Sequence, residues 1–174
     1  MPDPTEIAVI SSVLPATFTF LFQRLDRLLT SRGAEPETDV AAPPGLVGTL
    51  HLPLEPSEDT LRARRGELEL LQEALTAYAD GTVPVSPSDH RLLRNMARTR
   101  GALEDIYRQR LTFEGEDRPA SGPFVHQSIK TVTGEASGME SDVITGNSRV
   151  LQDVDTVEAG GKLIGMKGQR ITQQ

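Results

Sequence analysis

The chain has 174 residues, of which 37% are hydrophobic and 25% charged, with a net charge of -7, 4% aromatic residues, no Trp and no Cys. This is the composition of a globular chain with room for one domain and an appendage. The acidic balance leaves no cationic surplus to displace counterions from a nucleic-acid backbone, and the absence of Cys excludes disulfides, thiolate zinc sites and a Cys nucleophile.

Residues 7–23 carry no charge. They are preceded by Asp3 and Glu6 rather than basic residues, and no A-x-A-like site follows, which argues against a secretion signal. A membrane span needs roughly 20 apolar residues. This run is slightly shorter and is interrupted by Ser11, Ser12, Pro15, Thr17 and Thr19. A first helix is expected over residues 4–31, with Asp3 as N-cap, Pro4 at the first position, Glu6 at capping-box spacing and Gly33 just past the end. Pro15 should kink or interrupt it near Ser11 and Ser12. Phe18, Leu21, Leu25 and Leu28 share one face, widened by Phe22 and Leu29.

Residues 33–56, rich in Pro, Gly and Glu, read as a linker with one short extended piece at 46–54. A second helix is expected over 57–80, started by Ser57 with Glu58 and Asp59 in its first turn and ended by Asp80-Gly81. Its stripe is Leu61, Leu68, Leu71, Leu75 and Tyr78. A third is expected over 86–113, with Ser86 as N-cap and Pro87 behind it. Leu92, Met96, Leu103, Ile106 and Leu111 face inward, with Leu93 and Tyr107 beside them. The short loop between these two helices implies an antiparallel hairpin. Arg91, Arg94, Arg98, Arg100, Arg108 and Arg110 lie on the opposite face. They read as a solvated surface partly paired with Glu67, Glu69 and Glu73, or as a contact for anionic headgroups.

After Phe113 the texture changes to a turn-rich boundary, and then a motif occurs twice. Gln127-Ser128-Ile129-Lys130-Thr131-Val132 recurs as Gln152-Asp153-Val154-Asp155-Thr156-Val157. Gly138-Met139-Glu140 and Val143-Ile144-Thr145 recur as Gly165-Met166-Lys167 and Arg170-Ile171-Thr172, with about two extra residues near Lys162-Leu163 in the second copy. Short apolar–polar alternations broken by Gly suit strands joined by tight corners, and two such units can bury together what neither buries alone. Stacking would place Ile129 on Val154, Val132 on Val157, Met139 on Met166 and Ile144 on Ile171. It would also oppose Lys130 to Asp155 and Glu140 to Lys167, fixing the register within one chain and between chains. Gln127 and Gln152 offer a side-chain ladder of the cross-β kind. The other readings are a disordered tail or a small soluble β-layer.

The expected fold is thus a mainly α amino-terminal domain, residues 1–116, consisting of a helical hairpin plus a hydrophobic amino-terminal helix. A boundary at 117–126 leads to a C-terminal segment, 127–174, with copies at 127–145 and 152–172, that is either a two-repeat β-solenoid-like layer or intrinsically flexible. No reaction is signalled. His51, His90 and His126 form no metal-ligand spacing, Gly160-Gly161-Lys162 lacks the rest of a phosphate loop, no G-x-S-x-G elbow occurs, and the carboxylates Glu114, Glu116 and Asp117 read as solvated. No enzymatic role, cofactor or metal is expected.

A kinkable hydrophobic first helix, a small helical domain and the two copies at Gln127–Thr145 and Gln152–Thr172 together resemble the layout of amyloid-signalling executors, the fungal HET-s-type proteins and bacterial Bell-domain proteins. The Gln-apolar-Gly core of RHIM-type motifs is not present in either copy. The resemblance implies a C-terminal motif ordered by its own copies or by a receptor-type protein with a matching repeat, and a helical domain that then attacks a membrane. Ile7, Val9, Ile10, Val13, Leu14, Phe18, Phe20, Leu21 and Phe22 would carry insertion; as an ordinary core helix they would instead stay buried. The expected location is the cytoplasm, with relocation to the inner membrane on activation. The competing expectation is a soluble scaffold or adaptor that oligomerises or docks a partner through its C-terminal repeats.

Overall fold

In a computed structural model the described residues are 7–132, 135–140, 143–145, 149–167 and 170–172. The chain divides into two compact units, Met1–Ser121 and Gly122–Gln174.

The first unit is built on three helices, α1 (Leu14–Leu29), α2 (Glu58–Ala79) and α3 (His90–Tyr107), followed by the two-residue strand β1 (Gln109–Arg110). Leu25, Leu68, Leu92, Met96 and Leu103 meet in the centre of the bundle, together with Phe113 from the segment after α3. The α2 stripe is buried at Leu61, Leu68, Leu71 and Leu75.

The first helix is shorter than the hydrophobic run suggests. It begins at Leu14, not near residue 4, with Pro15 in its first turn. Pro15 has no N–H to donate, and its ring would clash with the Ser11 carbonyl in a longer helix, so it serves as a starter and not a kink. Residues 7–10 lie outside any helix and 11–13 form a turn. The proposed cap at Asp3, Pro4 and Glu6 lies outside the described residues. At its other end the helix closes at Thr30, whose N–H donates to the Arg27 carbonyl at 3.1 Å. Gly33 folds back so closely that a Cβ there would lie 2.1 Å from the Leu28 carbonyl oxygen.

The third helix is also shorter than 86–113. Its N-cap is Asp89, not Ser86: one Asp89 oxygen accepts from the Arg91 and Leu92 N–H groups at 3.0 Å each, and the other accepts from the Tyr78 hydroxyl at 2.7 Å. It ends where Arg108 turns left-handed at φ 52, a conformation that stops an α-helix. The Ser57 N–H takes up the Ile106 carbonyl at 2.8 Å, so the end of α3 is tied to the start of α2. Leu111 is buried as expected, but from extended chain and not from helix.

Residues 33–56 are no free linker. Glu37 and Leu54 exchange backbone hydrogen bonds at 3.0 and 2.8 Å, Val47 donates to the Thr112 carbonyl at 2.9 Å, and Ser121 donates to the Val47 carbonyl at 2.7 Å. Leu54 and Val40 join the core. The segment is a strap laid over the bundle and bridged to the chain that follows α3.

The second unit contains strands β2 (Gly122–Val132), β3 (Glu135–Glu140), β4 (Val143–Thr145), β5 (Arg149–Val157), β6 (Lys162–Lys167) and β7 (Arg170–Thr172). β2 pairs with β5, β3 with β6 and β4 with β7, all parallel.

Candidate functional site

Two places correspond to the residues singled out in the sequence, one in each unit. In the C-terminal unit, the strands of the first copy each pair with the equivalent strand of the second. The Cα partners include Gln127↔Gln152, Ile129↔Val154 and Val132↔Val157, Met139↔Met166 and Glu140↔Lys167, and Ile144↔Ile171. Lys130 and Asp155 fall between the pairs Ile129↔Val154 and Thr131↔Thr156. One opposition escaped the sequence reading. Glu135 pairs with Lys162, and the Lys162 ammonium lies 3.4 Å from the Glu135 carboxylate. Finding it requires the two extra residues to sit before Lys162. They do: Glu158–Gly161 separate β5 from β6, where residues 133–134 separate β2 from β3. Gly160 turns there at φ 92, a conformation open to Gly at little cost.

In the amino-terminal unit, most of the apolar residues between 7 and 22 are held inside. Ile7, Leu14, Phe18, Phe20 and Leu21 are buried, Val9 and Phe22 are partly buried against the core, and Val13 is half-buried. Ile10 is 43% exposed. Phe18 stacks on Phe22 at 5.8 Å and meets Tyr78 edge-on at 6.3 Å, while the Arg24 guanidinium covers the Phe20 ring at 5.8 Å. Among the described residues no helix is long and apolar enough to cross a membrane.

Two buried ionic clusters hold this arrangement. In the first, Glu37 on the strap accepts from Arg24 at 2.7 Å and from the Tyr107 hydroxyl at 3.2 Å, with Arg27 3.4 Å away. Burial, reinforced by the Glu37 charge and hydrogen bond, pushes the Tyr107 phenol well above its ordinary range. In the second, Arg100 pairs with Glu116 and Arg118 grips both oxygens of Glu104 at 2.9 and 3.0 Å. Burial lowers the Arg100 pKa, while Glu116 acts to raise it. Two sequence expectations are corrected here. Glu116 is not a solvated carboxylate, and Arg100 does not belong to an exposed arginine face: their side chains are 4% and 12% exposed. Elsewhere on that face Arg98 does pair with Glu67, at 3.4 Å. Charge spacing alone cannot distinguish a residue facing water from one facing a loop that folds back.

Among the described residues no group of three or more His, Asp or Glu could hold a metal ion. His51 sits apart from other chemistry, its backbone clasped by the Gln109 amide at 3.1 and 3.0 Å. In comparisons with known protein families, curated proteins and solved structures, nothing matches this chain.

Proposed function

We propose that this chain is a non-enzymatic defence or cell-death effector. Its C-terminal copies assemble, alone or templated by a partner, and deliver many amino-terminal domains together to a membrane that the apolar segment 7–22 then permeabilises. One observation carries the reading: strand by strand, the first copy pairs in parallel with the second, with Val125↔Val150, Gln127↔Gln152, Thr131↔Thr156, Met139↔Met166 and Ile144↔Ile171 placing like on like. This favours a two-rung β-solenoid over a flexible tail.

The same register extends naturally between molecules. Among the described residues the β3–β6 and β4–β7 sheets have two strands each, so each has outer edges whose backbone groups can accept another strand. A second chain adding its first copy to the second copy of its neighbour opposes unlike charges again at Lys130/Asp155, Glu135/Lys162 and Glu140/Lys167. Adding first copy to first copy would oppose Lys130 to Lys130 and repel. Each chain added this way lengthens the stack by two strand spacings, about 9.5 Å. Partners of fitting chemistry are a second copy of this chain, a receptor-type protein with a matching repeat, and membrane lipid, but not nucleic acid. The chain would wait in the cytoplasm and move to the inner membrane.

The membrane step requires a change of shape. At 16 residues, α1 is about 24 Å long, short of the roughly 30 Å hydrocarbon core of a bilayer. Residues 7–13 would have to leave their places and continue it across a kink at Pro15, and crowding in a stack would raise the local concentration of such segments. The second reading, a soluble scaffold or adaptor, is favoured by the burial of Leu14, Phe18 and Leu21 in the core. In that case the helices never open, and only the C-terminal edges recruit.

The test is to incubate the full chain near neutral pH, with and without fragments of the 121–174 segment as seeds, then record fibre diffraction and dye release from anionic liposomes. Seedable fibres with a spacing of about 4.7 Å together with dye release support the effector. Fibres without release move the reading to the scaffold. A chain that stays monomeric under all conditions refutes both.

A further inference from the structure

The stretch 7–13 is seated against one turn. The Ile10 N–H donates to the Glu114 carbonyl at 3.0 Å, and the Glu114 N–H donates to the Gly45 carbonyl at 2.8 Å. Gly115, at φ +102, lies so close that a Cβ there would sit 2.6 Å from the Ala8 oxygen and 2.9 Å from the Ile10 nitrogen. Gly45 offers a similar seat to Val13, whose methyl group would be 2.8 Å from a Cβ on Gly45. The other backbone attachment described for this stretch, Ile7 N–H to the Leu93 carbonyl, is long at 3.4 Å.

The turn itself, residues 113–116, is held from beneath. Glu116 closes it, donating its N–H to the Phe113 carbonyl at 3.1 Å and accepting from the Phe113 N–H at 2.9 Å through one carboxylate oxygen. The other oxygen meets Arg100 on α3. We infer that this turn is a latch: by holding Glu116, Arg100 keeps residues 7–13 seated, and loss of that one buried ion pair frees them while the three helices stay folded.

Two physical points separate this latch from general stability. Removing one partner of a buried pair leaves an uncompensated charge, a penalty that falls on the carboxylate and on the turn that carries it. The helices keep their own contacts through Leu25, Leu68, Leu71, Leu92 and Met96, all 2% exposed or less, so opening can be local. The turn also lies a few residues before Gly122, where the second unit begins. Between them Arg118 is tied to Glu104, and the Ser121 hydroxyl accepts from the Thr112 N–H at 2.8 Å. Along the backbone these ties stand between the latch and Gly122, so a rearrangement starting at Gly122 reaches the latch only after they yield. The inference goes beyond the proposed function and stands even if no membrane is involved.

Hydrogen exchange on the full chain tests it, with Arg100→Met, Gly115→Ala and, as a control, Arg64→Met, whose partners Glu67 and Asp105 lie on the helices. In Arg100→Met the Ile10 amide is expected to exchange faster by on the order of a hundredfold, while the Leu68 and Leu71 amides keep wild-type protection. Gly115→Ala should give the same local pattern with the ion pair intact, and Arg64→Met should leave Ile10 unchanged. Ile10 exchange within about threefold of wild type in Arg100→Met overturns the latch, and so does acceleration matched at Leu68 and Leu71 in both turn variants. Liposome leakage plays no part in this readout, so the latch and the membrane reading fail separately.

Discussion

If residues 33–56 are an integral strap, removing the carboxylate of Glu37 must destabilise the whole amino-terminal unit. Its side chain is 11% exposed and faces Arg24, itself 15% exposed, with Arg27 and the Tyr107 hydroxyl completing the cluster. Glu37→Ala leaves the Arg24 guanidinium without its buried counter-ion and the Tyr107 hydroxyl without its acceptor. Breaking a buried pair from one side costs about 3 to 5 kcal/mol. The half-open setting of Arg27 places the expected loss near the lower figure, about 3 kcal/mol. Glu37→Gln keeps an oxygen for Tyr107 and loses only the charge, for about 1 to 1.5 kcal/mol. With a urea slope of about 1.5 to 2 kcal/mol per molar, Glu37→Ala should lower the unfolding midpoint by roughly 1.5 to 2 M, and Glu37→Gln by about a third to a half of that. Unfolding followed by circular dichroism measures both. A loss below about 0.5 kcal/mol for Glu37→Ala, the size expected at an ordinary surface position, would refute the reasoning and return 33–56 to the status of a linker.

The two tyrosines report on alkaline unfolding. Tyr107 is raised by burial beside Glu37 and Tyr78 by its hydrogen bond to Asp89, so the stability they contribute is complete below the ordinary phenol pKa of 10.0 and is lost as pH climbs above it. The Tyr107 share of the tyrosinate absorbance, isolated in Tyr78→Phe, should therefore appear together with loss of helix; its appearance well before that would contradict the burial of Tyr107. Burial lowers the pKa of His51 from 6.5, and its Nε2 is enclosed without a hydrogen-bond partner among the described residues. Its contribution is present above about pH 6.5 and falls as the unfolded chain takes up a proton below that; His51→Gln should reduce the slope of stability against pH just below 6.5, and an unchanged slope there would count against it. In the C-terminal unit, Glu140→Lys opposes Lys167 in register and should slow fibre growth several-fold, while Glu140→Lys with Lys167→Glu should restore it. If the double variant assembles no better than the single one, charge does not set the register. Finally, Val13→Asp should abolish liposome leakage while fibres still form; leakage that survives this change speaks against insertion of residues 7–22.

The periodic features of this protein were legible without coordinates. Ser57 and Asp80-Gly81 frame α2 with an error of at most one residue, and the apolar stripe of that helix is the one that is buried. These follow from local chemistry, since caps and a 3.6-residue period act over one or two turns. The repeat was equally plain, because two similar segments betray themselves by identity alone. What sequence could not decide was where a hydrophobic run stops being helix. Residues 7–13 are apolar too, yet the missing N–H of Pro15 and the backbone groups offered by Leu93 and Glu114 keep 7–10 out of the helix and leave 11–13 as a turn. Nor could charge spacing distinguish Arg100 from Arg98. Both lie on the polar side of α3, but only Arg100 meets a loop returning from beyond the helix, 16 residues along the chain. Sequence by itself determined that these three helices exist, most of their stripes and the presence of two copies, but not where α1 begins or where α3 begins and ends. The tertiary structure alone decided that the Pro-rich strap is pinned by Glu37, that Glu116 is buried and that the amino-terminal stretch rests on Gly115, because each depends on groups far apart in the chain being brought to one place.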